Sequence, residues 1–446
     1  MKRDSIDFEH GDVMTLFRRI LLPTLLGSLA ISAMTTIDGI FVGHGVGAEG
    51  VAAVNITVPM YMVMSGLGLM MGAGCSVVSS IHMARQQLKA ARLNITQAIL
   101  TASLCTIPVA AIVMLYPEHT ARFLGASPTL LPQVTDYLMW IMPSFLFEMW
   151  SMIGLFVIRL DAAPRYAMWC NVVPAILNVV LDWFFIIHLD MGVEGAAIAT
   201  SVCIIFGGLM GMCYLLFAAR RLRLLLPKIS RKSVQLSVRN IGYQCRIGFS
   251  TLLGELTLAV FIFVGNWQFM RYLGDAGVSA FGIACYYAPF FFMIGNSIAQ
   301  SAQPILSYNY GANRWHLVQR TRRLLLSTSI AFGCVISLLF LLTPRALVGL
   351  FITPHSTAGA IAIEGFPLFG LGIVCFILNV ALTGYLQSIE HVRMSILCVA
   401  LRGFALLIPC FVLLPLVWGS QGIWLAMPLA ETATLTIVAI LLRRQR

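Results

Sequence analysis

Twelve times along the chain an apolar stretch long enough to form a membrane-crossing helix is followed by a polar or turn-forming interval. A hydrocarbon core about 30 Å thick takes roughly 20 helical residues per crossing. Stretches of that kind fall at 15–41, 51–80, 93–116, 131–158, 166–188, 193–218, 243–270, 278–307, 324–342, 360–387, 394–416 and 419–442. Each is continuously apolar, whereas barrel strands alternate over about ten residues, so helices are predicted. The first stretch is longer than the apolar core of a secretory leader and has no small-residue cleavage site, so it reads as a retained span. The predicted fold class is an all-α integral membrane protein of twelve transmembrane helices.

An offset of 227 residues recurs through the chain and divides the twelve spans into two sixes. Gly47-Ala48-Glu49-Gly50-Val51-Ala52-Ala53 matches Gly274-Asp275-Ala276-Gly277-Val278-Ser279-Ala280, Gly192-Val193-Glu194-Gly195 matches Gly419-Ser420-Gln421-Gly422, and Phe123-Leu124 falls on Leu350-Phe351. An even number of spans per repeat makes the repeats parallel, related by an axis along the membrane normal, with a cleft expected between two lobes. The expected organisation is an N-terminal lobe over 1–218, a basic cytoplasmic linker over 219–242 containing Pro227, and a C-terminal lobe over 243–446. The linker is expected to lie partly on the anionic leaflet surface.

Composition agrees with a bilayer as the main solvent: 59% of residues are hydrophobic and 11% charged, against about one quarter charged in soluble domains. The net charge of +11 is a topology signal and not a nucleic-acid patch. With the N-terminus inside, 25 of the 29 Lys and Arg fall on the cytoplasmic side, three fall outside (Arg122, Arg271, Arg345), and Arg402 is embedded. Both termini are therefore expected in the cytoplasm. The 11 Cys residues lie mostly within spans, without C-x-x-C pairs or His clusters, and read as packing residues; no metal-ligand set is expected beyond a possible sodium site.

Ionisable residues inside spans cost roughly 2.5 to 3.5 kcal/mol each on insertion scales and are functional candidates by default. They are Asp38, Glu148, Asp182, Glu255, Arg402 and Glu431. Asn178 and Asp182, four apart in span 5, share a helix face, one turn after Pro174. With Asp38 in span 1 and Thr200 in span 6 they offer hard oxygen ligands for a small cation, or a desolvated carboxylate pair that takes up and gives back a proton. A plain hydrogen-bonding role in holding spans together is the alternative. Adding 227 to Asp38, Asn178 and Asp182 gives Gly265, Ala405 and Pro409, so this site belongs to the first lobe alone. Glu255 would handle substrate or protons in the second lobe, or pair with another helix. Arg402, Glu148 and Glu431 read as structural pairs or cavity liners, and Gln300, Gln303 and Pro304 as cleft-lining or packing residues. No Walker sequence, G-x-S-x-G or H-E-x-x-H occurs, and the eight His residues never pair at ligand spacing. An enzyme is not expected, nor is any organic cofactor.

The chain resembles the multidrug and toxic compound extrusion (MATE) transporters of prokaryotes over nearly its whole length. The resemblance rests on the six-plus-six layout, on Thr36-Ile37-Asp38-Gly39-Ile40-Phe41-Val42-Gly43 closing span 1, and on Gln303-Pro304-Ile305-Leu306-Ser307-Tyr308-Asn309-Tyr310-Gly311-Ala312 closing span 8. It rests also on the Asn178, Asp182 pair followed by Gly-Ala-Ala-Ile-Ala-Thr at 195–200. It implies a cation site of Asp38, Asn178, Asp182 and Thr200, and a bend of span 1 at Pro23. Members with a second-lobe site have a Glu in span 7, which Glu255 matches, and an Asp in span 10, where this chain offers only Asn379. The implied activity is proton- or sodium-coupled antiport of amphipathic, often cationic drugs by a monomer in the bacterial inner membrane. Its partners would be these compounds and membrane lipids. Two rival functions are a lipid-linked saccharide flippase of the same superfamily, which would need a basic cavity, and a scaffold or receptor without transport.

Overall fold

A computed structural model of the chain describes residues 7–9, 11–225 and 231–444. Lys2, Arg3, Pro227, Lys228 and Arg446, which enter the charge and linker readings, lie outside the described residues.

The described residues are helical almost throughout. The helices are α1 (Val13–Gly45), α2 (Ala48–Ala84), α3 (Leu88–Leu115), α4 (Pro117–Phe123), α5 (Leu131–Ile141), α6 (Ser144–Leu160), α7 (Pro164–Asp182) and α8 (Gly192–Cys213). There follow α9 (Arg231–Gly311), α10 (Trp315–Leu342), α11 (Pro344–Gly349), α12 (Thr357–Gly370), α13 (Ile373–Ser388), α14 (Val392–Ala400) and α15 (Leu407–Arg444). π-helical turns extend α7 over Trp183–His188, α8 over Tyr214–Ala218 and α14 over Leu401–Ala405.

Ten spans follow from helix length and apolarity when α5 with α6 and α12 with α13, each pair bent by 51°, count as one span apiece. Two of the ten are each two helices joined at a glycine, α9 at Gly274 (φ 63°) and the α14–α15 run at Gly419 (φ 54°). Twelve crossings result among the described residues. Positive φ is cheap only for glycine, and the repeat uses it in register: Gly47 and Gly274, and Gly192 and Gly419, are 227 residues apart, as are the left-handed Gln86 and Asn313. The 51° bends and the short helices α4 and α11 repeat at nearly the same offset. Pro23, where a bend was expected, lies inside α1, which runs unbroken to Gly45.

The described chain groups into two compact units, one within Met1–Leu252 together with Ser307–Arg314, the other Leu253–Leu306 with Trp315–Arg446. In the first unit the start of α9 packs against α2 and α3. A Cβ on Gly248 would lie 1.9 Å from the Met70 carbonyl oxygen, so backbone meets backbone there, and Gln244 Nε2 donates to Asn94 Oδ1 at 2.9 Å. The expected linker is thus helical from Arg231 onward. Its beginning is pinned by Asp161, whose carboxylate accepts from the backbone N–H of Arg220, Arg221 and Leu222 and from the Tyr214 hydroxyl.

Candidate functional site: an acid pair in the first unit

α1 packs along α7, and the small residue Gly27 lets them approach: a Cβ there would be 3.2 Å from the Asn171 amide. This packing brings the carboxyl groups of Asp38 and Asp182 side by side, near enough to interact yet without a hydrogen bond of standard geometry between them. Asn178 and Asp182 are 0% exposed, and Asp38 is half-buried. Neither amide atom of Asn178, neither carboxylate oxygen of Asp182, nor Asp38 Oδ1 reaches a protein hydrogen-bond partner. Buried polar atoms almost always have partners. Five such atoms on Asp38, Asn178 and Asp182 make this the candidate site. Thr200 is half-buried on α8, one turn before Cys203, which lies within electrostatic range of both carboxylates.

Tyr137 on α5 was not singled out from sequence. It is buried, and its hydroxyl lies within electrostatic range of Asp38 and Asp182. An aromatic in an amphipathic helix carries no local signal of that role; only the packing of α5 reveals it.

The three site helices continue in one direction into a dry cluster of Val42, Ile186 and Ala196, each at most 2% exposed, with Phe41, Val46, Val51 and Val54 packed around it. These residues stand one turn from Asp38, Asp182 and Thr200. The other way, Met34 and Ile204 one turn from Asp38 and Thr200, and Pro174 two turns from Asp182, line a cavity of about 70 Å³ that also meets Glu148 and Cys203. The Glu148 carboxylate lies at the end of a 3.3 Å hydrogen bond from the Tyr61 hydroxyl. Along the site helices the acid pair thus has an apolar cluster on one side and a small, mainly apolar cavity bearing Glu148 on the other. That volume holds a few waters and not a drug-sized molecule.

The second unit answers the same positions differently. Gly265, the counterpart of Asp38, is packed under Phe281, whose ring a Cβ there would strike at 2.2 Å. Phe261, Phe269, Phe281, Phe411 and Trp424 form an aromatic cluster around it. Arg402 and Glu431 form a buried ion pair, Nη2 to Oε1 2.9 Å and Nε to Oε1 3.1 Å, both side chains 3% exposed. Asn379 Nδ2 donates to the Glu431 carboxylate at 2.7 Å. Asn379 is therefore engaged by Glu431, and the structure does not bring it to Glu255. Glu255 is half-buried on α9, with no hydrogen-bond or ion-pair partner among the described residues.

A twelve-span, two-repeat helical membrane protein with an unpartnered acid pair inside one repeat belongs to the class of membrane transporters. The MatE family model matches residues 23–184 and 251–412, once in each half. The chain belongs to the MatE family, and it is a transporter and not an enzyme. Similar proteins include the multidrug export protein MepA of Staphylococcus aureus (strain NCTC 8325 / PS 47), 22% identical over 451 residues, covering 98% of this chain and 96% of that one. The MepA of Staphylococcus saprophyticus is 21% identical with the same coverage. Among solved structures, one described as an outward-facing conformation of a multidrug resistance MATE family transporter superposes with a TM-score of 0.90 at 18% identity, covering 98% of this chain and 97% of that one. The MATE multidrug transporter DinF-BH gives 0.87 at 24% identity, covering 100% and 98%.

Proposed function

We propose that this chain exports amphipathic, often cationic organic compounds across a bacterial inner membrane, acting as a monomer with both termini in the cytoplasm and driven by inward flow of a cation through the first-unit site. The observation that carries the reading is the juxtaposition of Asp38 and Asp182 with five unpartnered buried polar atoms. The names of the similar proteins, multidrug export protein and multidrug transporter, support the substrate class.

Two like charges about 4 Å apart repel by about 4 kcal/mol at an effective dielectric of about 20. A cation arriving between the two carboxylates relieves that repulsion, and its release restores it. Inward movement of one charge supplies about 2.3 kcal/mol per 100 mV, the same order, so ion occupancy can bias one state of the carrier over another. The apolar cluster of Val42, Ile186 and Ala196 closes the end expected to face outward. The ion is a proton in this reading, because two carboxylates held side by side in a buried place can share one, whereas sodium would draw further oxygens from Asn178 and Thr200. A flippase for pyrophosphate-linked sugars is disfavoured, since Arg402, which lies well inside its span, is already neutralised by Glu431.

The test is efflux of a cationic dye from proteoliposomes under a pH gradient without sodium, and under a sodium gradient at equal pH. Asp38→Asn and Asp182→Asn should each abolish driven efflux at unchanged expression. Full efflux in both variants would place coupling elsewhere, and transport driven by sodium alone would replace the proton while keeping the site.

A further inference from the structure

A cavity apart from the acid site lies wholly in the second unit, where α10, the end of α13 and the end of α15 meet. It measures about 600 Å³, compared with about 70 Å³ for the cavity beside the acid pair. Its rim carries Arg322, Arg443, His391 and Trp315, and among the described residues no acidic side chain lines it. Its wall is aliphatic, formed by Leu326, Leu382, Leu386, Leu435 and Ala439. Arg322 Nε is buried and has no hydrogen-bond partner, although its guanidinium sits 5.9 Å from the Tyr385 ring. A buried charged donor left open is costly, so this atom points to an absent acceptor.

Geometry sets what kind of acceptor. From Trp315 to Leu326 a helix rises about 16 Å, close to half the roughly 30 Å hydrocarbon core. A wall of that length with cations and a tryptophan at one end matches one leaflet, headgroup level to midplane. The rim belongs to the membrane side on which 25 of the 29 basic residues fall, the side where anionic lipids create a negative surface potential.

The internal repeat gives an independent comparison. Arg92 is the first-repeat counterpart of Gln319 in the cavity, and its Nε donates to the Arg221 carbonyl at 2.7 Å. Thr96 and Gln97 beside it bind Leu225 N–H and the Ser237 hydroxyl. In the first unit, then, the chain's own connecting segment covers this face of the repeat. In the second unit no described segment covers it. The first-repeat counterparts of Trp315, Arg322, His391 and Arg443 are Leu88, Ile95, Pro164 and Leu216, so the aromatic and basic rim is particular to the uncovered copy.

We propose that this cavity binds one anionic phospholipid of the cytoplasmic leaflet, its phosphate held by Arg322 and Arg443 and one acyl chain lying along the α10–α13–α15 wall. The lipid takes the place that the connecting segment fills in the first unit.

Native mass spectrometry of the full chain in detergent tests it, titrating palmitoyl-oleoyl phosphatidylglycerol, phosphatidylcholine of the same chains, and inorganic phosphate. Each arginine near an anionic headgroup contributes about fivefold in affinity. Phosphatidylglycerol should bind about 25-fold tighter than phosphatidylcholine, the product of two such contributions, and R322Q with R443Q should remove that preference. Ala439→Trp, which fills the aliphatic wall and leaves the charges, should weaken both lipids alike. Inorganic phosphate should not displace the lipid. Equal binding of the two lipids by the unaltered protein, or a preference surviving the double arginine variant, would overturn the proposal. Displacement by phosphate would reduce the site to one for free anions and also overturn it. Should the double variant fail to fold, phosphatidylglycerol binding unaffected by Ala439→Trp is still sufficient to reject it.

Discussion

Glu431→Gln removes one charge from a deeply buried ion pair, and its cost can be worked from the geometry. The guanidinium of Arg402 would stay 3% exposed with the Phe376 ring, 4.3 Å away, as its remaining electrostatic partner. Breaking a buried pair by deleting one member costs about 3 to 5 kcal/mol. The ring contact retains about 1 kcal/mol or more and the Gln oxygen keeps one acceptor, so we expect about 3 kcal/mol. Arg402→Met should cost a similar amount, leaving Glu431 to accept only from Asn379. Removing both charges with R402M and E431L should cost less than either single change, since apolar replacements of buried pairs are often neutral. Urea unfolding of the purified protein in detergent, followed by tryptophan fluorescence, reads all three. Transport by the double variant decides between structure and chemistry, because a purely structural pair leaves efflux intact once stability is restored. Additive losses of about 6 kcal/mol in the double variant would refute the coupling, and a stable double variant without efflux would refute the structural assignment.

Glu255→Gln should weaken export of cationic dyes more than of neutral ones, since Glu255 has no protein partner among the described residues to lose; equal losses in a dye-efflux comparison would contradict this. Ile186→Ala opens the cluster that closes the acid pair on one side, at a cost of about 2 to 5 kcal/mol. It should raise substrate-independent proton leak in liposomes with an imposed pH gradient, and an unchanged leak would mean the seal lies elsewhere. Asp161→Ala removes the acceptor of three backbone N–H groups and the Tyr214 hydroxyl. It should speed proteolysis between Ala219 and Arg231 severalfold while leaving the melting temperature within a few degrees, whereas unchanged proteolysis would show that the segment is held by other contacts.

Spans and repeat were readable from the chain because the bilayer forces about 20 apolar residues per helix and because turns that need positive φ reuse glycine, as at Gly47 and Gly274 or Gly192 and Gly419. Asn178 and Asp182 were readable as a pair because four residues make one helix face. Their closeness to Asp38, on a helix more than a hundred residues away, followed only from resemblance until α1 was seen packed along α7. What stayed hidden depends on tertiary packing alone. Tyr137 comes within electrostatic range of the acids through the position of α5, whereas Arg402 and Glu431, read from sequence as structural pairs or cavity liners, do pair across 29 positions. Asp161 looks like an ordinary loop acid until the connecting segment folds back onto it. Pro23 marks a weak point in α1, but a proline inside a helix removes one hydrogen bond without obliging the helix to break, and here it does not.

The two repeats started from one plan and now treat buried charge in opposite ways. In the second unit every member of the Arg402, Glu431 and Asn379 group is tied to another: the arginine supplies a permanent cation, and the place of Asp38 is taken by Gly265 under Phe281. A group satisfied in this way has no electrostatic reason to exchange an ion, and its role is to hold α13, α14 and α15 together. In the first unit the carboxylates carry no built-in cation, and their buried atoms lack protein partners. The stability lost by leaving them so is the free energy available when a mobile cation arrives. Under the proposed coupling, the Arg402–Glu431 pair supplies its own counter-charge, while the Asp38 and Asp182 carboxylates would obtain theirs from solution. That division is the physical basis for expecting coupling to fail in Asp38→Asn and Asp182→Asn but to survive in the R402M, E431L double variant.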